Sequence, residues 1–195
     1  TRLITPGTIL EEGMLSAKKN NWLASVLINS QENEKRIKWA LAKVDVSTGE
    51  LVAQDGEGIN SLKQELIKLK AAEIISEKNT INHDNWYTSA MKITEFDKTS
   101  FAELEAKTTI LNYYCLNNIE GLGIHLNSLF IRAIGGLIGY LNKTHPTLVE
   151  GENLTKKTHI TIDYPKIKHI KSSLIIDNQT RKNLEITSTQ RGGKF

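Results

Sequence analysis

The chain has 195 residues, 39% of them apolar and 24% charged, with a net charge of +3. That suits one large globular domain or one and a half small ones, and it excludes a collagen-like repeat, a low-complexity tail and a wholly disordered chain. The most apolar run, Leu129 to Leu141, is 13 residues long and holds Arg132, short of the roughly 20 that a membrane helix needs. With no signal-peptide pattern at the start, a reducing, cytoplasmic setting is expected. The chain opens on Thr1 rather than Met and stops at Arg191-Gly-Gly-Lys-Phe195, which reads as a piece of a longer protein.

Strand patterning dominates the first part. Trp22-Leu-Ala-Ser-Val-Leu-Ile28 is a short apolar run rich in β-branched residues, as a strand requires. After a polar turn at Gln31-Glu-Asn-Glu34, Ile37, Trp39 and Leu41 alternate with Lys38, Ala40 and Ala42, giving a second strand that runs to Asp45. Ser47-Thr48-Gly49 makes a turn and Leu51-Val52-Ala53 a third strand, so an antiparallel meander is expected. Ser61-Leu-Lys-Gln64 has capping-box spacing, and Ile59, Leu62, Leu66 and Leu69 form one apolar helical stripe. Glu73-Ile-Ile-Ser76 follows as a fourth strand, which a strand–helix–strand crossover makes parallel.

Two longer helices come next. Ser100-Phe-Ala-Glu103 is a second capping box, expected to open a helix with Phe101, Leu104, Thr108, Leu111 and Cys115 on one side, ended by Asn117-Asn118 and Gly121/Gly123. In the other, Leu126, Leu129, Phe130, Ala133, Ile134, Leu137, Ile138 and Leu141 recur every three or four residues. Gly135, Gly136 and Gly139 interrupt it at a cost of up to about 1 kcal/mol each against Ala, which predicts a close contact on that face. His145-Pro146 closes the helix, and the polar stretch from Thr147 to Lys157 is a candidate boundary. Beyond it, His159-Ile-Thr-Ile-Asp163 and Ser173-Leu-Ile-Ile176 read as strands, and Asp177 as the N-cap of a short helix. This last segment is too poor in apolar residues to build a core alone and must pack on something.

The chemistry-bearing residues are sparse. The single cysteine, Cys115, excludes an internal disulfide and a multi-cysteine metal site, and its apolar neighbours predict a buried structural thiol. His83, His125, His145, His159 and His169 form no zinc spacing and read as surface or packing residues. Neither G-x-x-x-x-G-K-[ST] nor G-x-G-x-x-G nor G-x-S-x-G occurs. Ribonuclease H-like nucleases also begin β-β-β-α-β and need acidic residues converging on two metal ions. Asp45 and Glu50 are the candidates here, although a turn explains them equally well. Charge is uneven: residues 1–96 hold 12 Lys/Arg and 13 Asp/Glu, residues 97–155 hold 4 and 6, and residues 156–195 hold 9 and 3. A basic end of this kind is either a solvated face or a nucleic-acid contact through Lys166, Lys168 and Lys171.

Four segments together resemble one family. Thr5-Pro-Gly-Thr8 is similar to the "TPGT" stretch of the bacterial DNA mismatch repair MutS family, Val44-Asp-Val-Ser-Thr-Gly49 to the "DISSG"-type hairpin of its second domain, and Gly136-Leu-Ile-Gly-Tyr-Leu-Asn-Lys-Thr144 to its "LLxYLxxT" helix end. Leu174-Ile-Ile-Asp177 with Thr180-Arg-Lys-Asn-Leu-Glu-Ile-Thr187 resembles its "MDxxTRRNLEIT" run into the core domain. The segment from Ser100 to Thr144 departs most from the pattern, and Asn112 to Leu126 looks longer.

The resemblance implies an α/β fold: a ribonuclease H-like mixed sheet with flanking helices, followed by the start of a mostly helical core. Residues 1–15 would be a linker from a mismatch-reading domain, 16–146 the connector domain, and 147–195 a linker and the truncated start of the core (lever) domain. It implies a non-catalytic connector with no catalytic, cofactor or metal residues of its own. ATP, magnesium and mismatched duplex DNA would be handled by other domains, MutL would be a partner, and the full-length protein would be a homodimer. Phe101-Ala-Glu103 spells the family's Phe-x-Glu mismatch reader but sits in the wrong place for it. The alternatives are an independent ribonuclease H-like metal-dependent nuclease and a basic nucleic-acid-binding module.

Overall fold

The computed structural model describes residues 21–29, 37–78, 86–122, 125–144 and 161–170. The expected turn at Gln31-Glu-Asn-Glu34, the segments at Thr5-Pro-Gly-Thr8 and Ser173-Leu-Ile-Ile176, Asp177, Lys171, Gly123, His83, His145 and His159 lie outside these residues.

Three strands, β1 (Trp22–Asn29), β2 (Lys38–Asp45) and β3 (Leu51–Glu57), pair antiparallel in chain order, as their alternation requires. Helix α1 (Ile59–Leu69) then crosses over to β4 (Glu73–Glu77), which lies parallel to β1. The expected β-β-β-α-β order is therefore present. Two further strands were not legible: β5 (Ile93–Phe96) extends the sheet beside β4, and β6 (Lys166–His169) lies parallel to β3. The finished sheet has six strands in the order β5-β4-β1-β2-β3-β6.

Alternation of side chains across the strands builds two cores. On one face, Ala24, Val26, Trp39, Leu41 and Ile74 pack with Leu62 and Leu66 of α1 and with Trp86. On the other, Leu23, Leu27, Ala40, Ala42 and Ile75 meet α3 (Ser128–Thr144). Helix α3 buries Phe130, Ile134, Leu137, Ile138 and Leu141, each contributing about 1.5–3 kcal/mol of apolar transfer. Buried Glu73 joins β4 to β5 and α3: its carboxylate accepts from the Thr94 hydroxyl at 2.6 Å and the Tyr140 hydroxyl at 3.0 Å.

Several helix expectations need correction. Helix α1 starts at Ile59, capped at Gly58 without a side-chain bond, so Ser61 lies inside the helix and the Ser61/Gln64 box does not form. Ser100 sits in a 3-10 turn, Lys98–Phe101, that Asp97 caps by accepting from the Thr99 amide. Helix α2 (Glu103–Tyr113) begins only after it, with Ala102 as N-cap. The Glu103 carboxylate instead accepts from the Ser128 hydroxyl at the start of α3.

The expected stripe of α2 holds only in part: Phe101, just before the helix, is buried and Leu111 packs partly buried against the core. Leu104 is 79% exposed, and Thr108 and Cys115 are exposed, while Ala106 and Ile110 are buried. The glycines of α3 supply the reason. A Cβ on Gly135 would overlap the side chain and backbone of Ala106, and one on Gly136 would overlap the Phe101 ring. The helices approach so closely that a small residue must face them, and larger Leu104 turns outward. Helix α2 ends at Tyr113, ahead of the predicted Asn-Gly stop, where Cys115 takes a left-handed φ of 53°.

Candidate functional site

The β2–β3 turn is where distant parts of the chain meet. Asp45 ends β2 and is buried. Its Oδ1 accepts from the Ser47 amide at 2.9 Å and the Ser47 hydroxyl at 2.5 Å, and its carbonyl accepts from the Thr48 and Gly49 amides. This is the aspartate-stabilised turn that the residue type favours, and Gly49 completes it at φ 84°.

Both flanking segments of chain bind this turn. The Val46 amide donates to the carbonyl of Asn21, the residue just before β1, at 3.2 Å. The Asp163 amide donates to the Gly49 carbonyl at 2.9 Å. Two tyrosines at the end of α2 hold the second segment. The Tyr113 hydroxyl accepts from the Ile162 amide at 2.8 Å, and the Tyr114 hydroxyl donates to the Asp163 carbonyl at 2.7 Å. The Tyr113, Tyr114 and Tyr164 rings pack edge to face in sequence. Burial pushes both hydroxyl pKa values above the usual tyrosine range, most strongly at Tyr114.

From this clasp the chain runs into β6. Lys166 pairs with Glu50 at 3.0 Å. His169 Nδ1 lies 2.8 Å from Asp55 Oδ1, and its ring stands edge-on to Phe130. The strand expected at His159–Asp163 therefore begins later. Residues 161–165 are a strap outside any strand that the tyrosines hold, and the pairing starts at Lys166. Residues 161–170, the described part of the segment that had to pack on something, pack on the first unit.

The two carboxylates singled out for metal chemistry are both engaged, Asp45 by its turn and Glu50 by Lys166. Strand β1, at the centre of the sheet, carries no acidic residue. Among the described residues no group of three His, Cys, Asp or Glu is placed to hold a metal ion. Phe101 is fully buried. Cys115 is exposed, contrary to the expectation of a buried thiol, because it follows α2 on the outward side.

A cleft of about 520 Å³ lies between the starts of α2 and α3 and the end of β4. Its charges close on one another: Glu77 meets Lys98 at 3.8 Å and Arg132 at 3.3 Å, and Arg132 Nε donates to the Phe101 carbonyl at 2.7 Å. The arrangement ties β4 to the 3-10 turn and to α3. Sequence reasoning missed this network and the tyrosine clasp, since both join residues far apart in the chain.

Comparison with known proteins agrees with this architecture. The family model for MutS domain II matches residues 21–155. The DNA mismatch repair protein MutS of Prochlorococcus marinus strain NATL2A is 66% identical over 195 residues, and that of strain AS9601 is 40% identical over 199. The MutS of Synechococcus sp. strain CC9605 is 38% identical over 196 residues. Each match covers all of this chain but 21% of the relative, so the chain spans about a fifth of their length. No helix among the described residues is long and apolar enough to cross a membrane. The chain belongs to the MutS family of DNA mismatch repair proteins, and residues 21–155 are its domain II.

Proposed function

We propose that this chain is the non-catalytic connector of a cytoplasmic MutS protein. It joins an upstream mismatch-reading domain to a downstream core and ATPase, and it offers a surface to MutL. One observation carries this reading: the chain arriving at Asn21 and the strap at Asp163 are hydrogen-bonded to the same short turn, Asp45–Glu50. A displacement of either segment is thereby passed to the other through a few rigid bonds. Coupling needs such a physically continuous element.

On this reading the connector runs through Ile170, because β6 completes its sheet. Residues 1–15 are the linker into it, and the chain beyond Ile170 opens the core. Asp45 is the keystone of the turn. The connector holds no cofactor. ATP, magnesium and mismatched duplex belong to other domains of the full-length protein, which works as a homodimer.

The test compares this 195-residue chain with the full-length protein. The chain alone is expected to hydrolyse no ATP, to bind matched and mismatched duplex alike, and to retain MutL. ATP turnover by the chain, or Mn²⁺-dependent cleavage of duplex abolished by Asp45→Ala, would overturn the reading in favour of an enzyme.

A further inference from the structure

The sheet register gathers a set of lysines that the chain order keeps apart. Lys43 of β2 lies opposite Val52 of β3, which lies opposite Lys166 of β6. In the next row on the same face, Leu41 lies opposite Gln54 and Gln54 opposite Lys168. Directly opposed residues share a face of the sheet, so Lys43, Lys166 and Lys168 all stand on the α1 side, at the end of the sheet away from β4. At about 4.8 Å between strands and 3.3 Å per residue, they form a triangle with sides of roughly 7 to 12 Å.

Local carboxylates neutralise this group only in part, through the Lys166–Glu50 pair and the weaker fields of Glu65 and Glu50 at Lys43. Glu50 is taken by Lys166 and Glu65 by Lys68. Among the described residues, neither Lys43 nor Lys168 has a carboxylate within ion-pair distance, and the Lys43 ammonium lies 5.2 Å above the Trp22 ring. Gln54, between them in the register, is 7% exposed, and its Oε1 has no hydrogen-bond partner among the described residues.

We infer that the Lys43–Lys166–Lys168 face is a docking surface for the phosphate backbone of duplex DNA. Spaced ammonium groups on a compact face suit a repeating row of phosphates, and lysines act there as point charges that read no sequence. The net field at the site points the same way: half-burial lowers the Lys43 pKa first and the charge of Lys168 lowers it further, against smaller opposing effects of Glu65 and Glu50. A phosphate set between the two ammonium groups reverses that repulsion. The sequence also stays basic past the strand, with Lys171, Arg181 and Lys182.

The test uses full-length protein and a matched duplex, with binding measured across a salt series. Lys166→Gln/Lys168→Gln on the exposed edge strand is the main variant, since neither side chain is buried. Adding Lys43→Gln extends it. Each lost phosphate contact should flatten the slope of log K against log salt by about 0.9, so the double variant should flatten it by one to two and weaken low-salt binding several-fold. Glu50→Gln, which releases Lys166, should steepen the slope and tighten binding. Lys107→Gln on α2 should change neither. Unchanged slopes in the double, triple and Glu50→Gln variants would overturn the inference. So would unchanged DNA binding with lost retention of MutL, which would make the face a protein contact instead.

Discussion

The Tyr114 hydroxyl donates to the carbonyl of Asp163, 49 residues further along the chain, at 2.7 Å. With Tyr113 holding the Ile162 amide, it fixes how the chain returns to the sheet edge. Tyr113→Phe and Tyr114→Phe should each destabilise the strap by about 1 kcal/mol, the usual net worth of one hydrogen bond. Amide exchange across residues 161–170 should quicken in both variants while that of β1 and β2 stays the same.

The same pair gives a prediction in alkali. Burial raises both hydroxyl pKa values, most strongly at Tyr114. A tyrosine whose folded pKa is raised contributes stability that is complete below its unfolded pKa, near 10, and is lost as pH rises through the folded value. Tyrosinate absorbance should therefore show Tyr113 and Tyr114 titrating above the usual tyrosine range, and stability should fall above about pH 10. In Tyr113→Phe/Tyr114→Phe that alkaline loss should shrink.

Asp45 separates a structural account from a catalytic one. Asp45→Ala removes the acceptor for both Ser47 donors and should cost about 1–2 kcal/mol, comparable to the loss of a helix cap. Asp45→Asn keeps an acceptor oxygen and should cost less. Magnesium or manganese should leave the melting temperature of the wild type unchanged.

The α3 glycines should divide sharply. Gly135→Ala and Gly136→Ala force atoms into Ala106 and Phe101, and overpacking of this kind costs about 1–3 kcal/mol. Gly139 has its nearest neighbour, Ser100 Cβ, at 3.8 Å. Gly139→Ala should therefore stabilise the protein, by up to about 1 kcal/mol. Denaturant midpoints for the three variants check this.

Sequence patterning carried the elements that bury the most apolar surface. Strands β1 to β4, α1 and α3 follow from alternation or a helical stripe because each buries a continuous apolar set. Helix α2 misled because Leu104, Thr108 and Cys115 sit at helical spacing with Leu111, yet close approach of the α3 glycines selects Ala106 for the buried side. Its cue was the Gly135-Gly136 pair, which requires a small partner. Strand β6, Lys-Ile-Lys-His, reads as polar because an edge strand with charged side chains needs little apolar surface. The site eluded sequence reasoning for a related reason. Asn21, Gly49 and Asp163 meet through backbone groups, which carry no residue signature.

The most direct test of the connector account is the dependence of ATP hydrolysis on mismatched DNA in the full-length protein carrying Tyr113→Phe/Tyr114→Phe. The account predicts that basal hydrolysis and mismatch affinity each stay near wild type, while the change in hydrolysis rate on adding mismatched duplex falls several-fold. A variant whose strap exchanges faster but whose mismatch response is unaltered would contradict it.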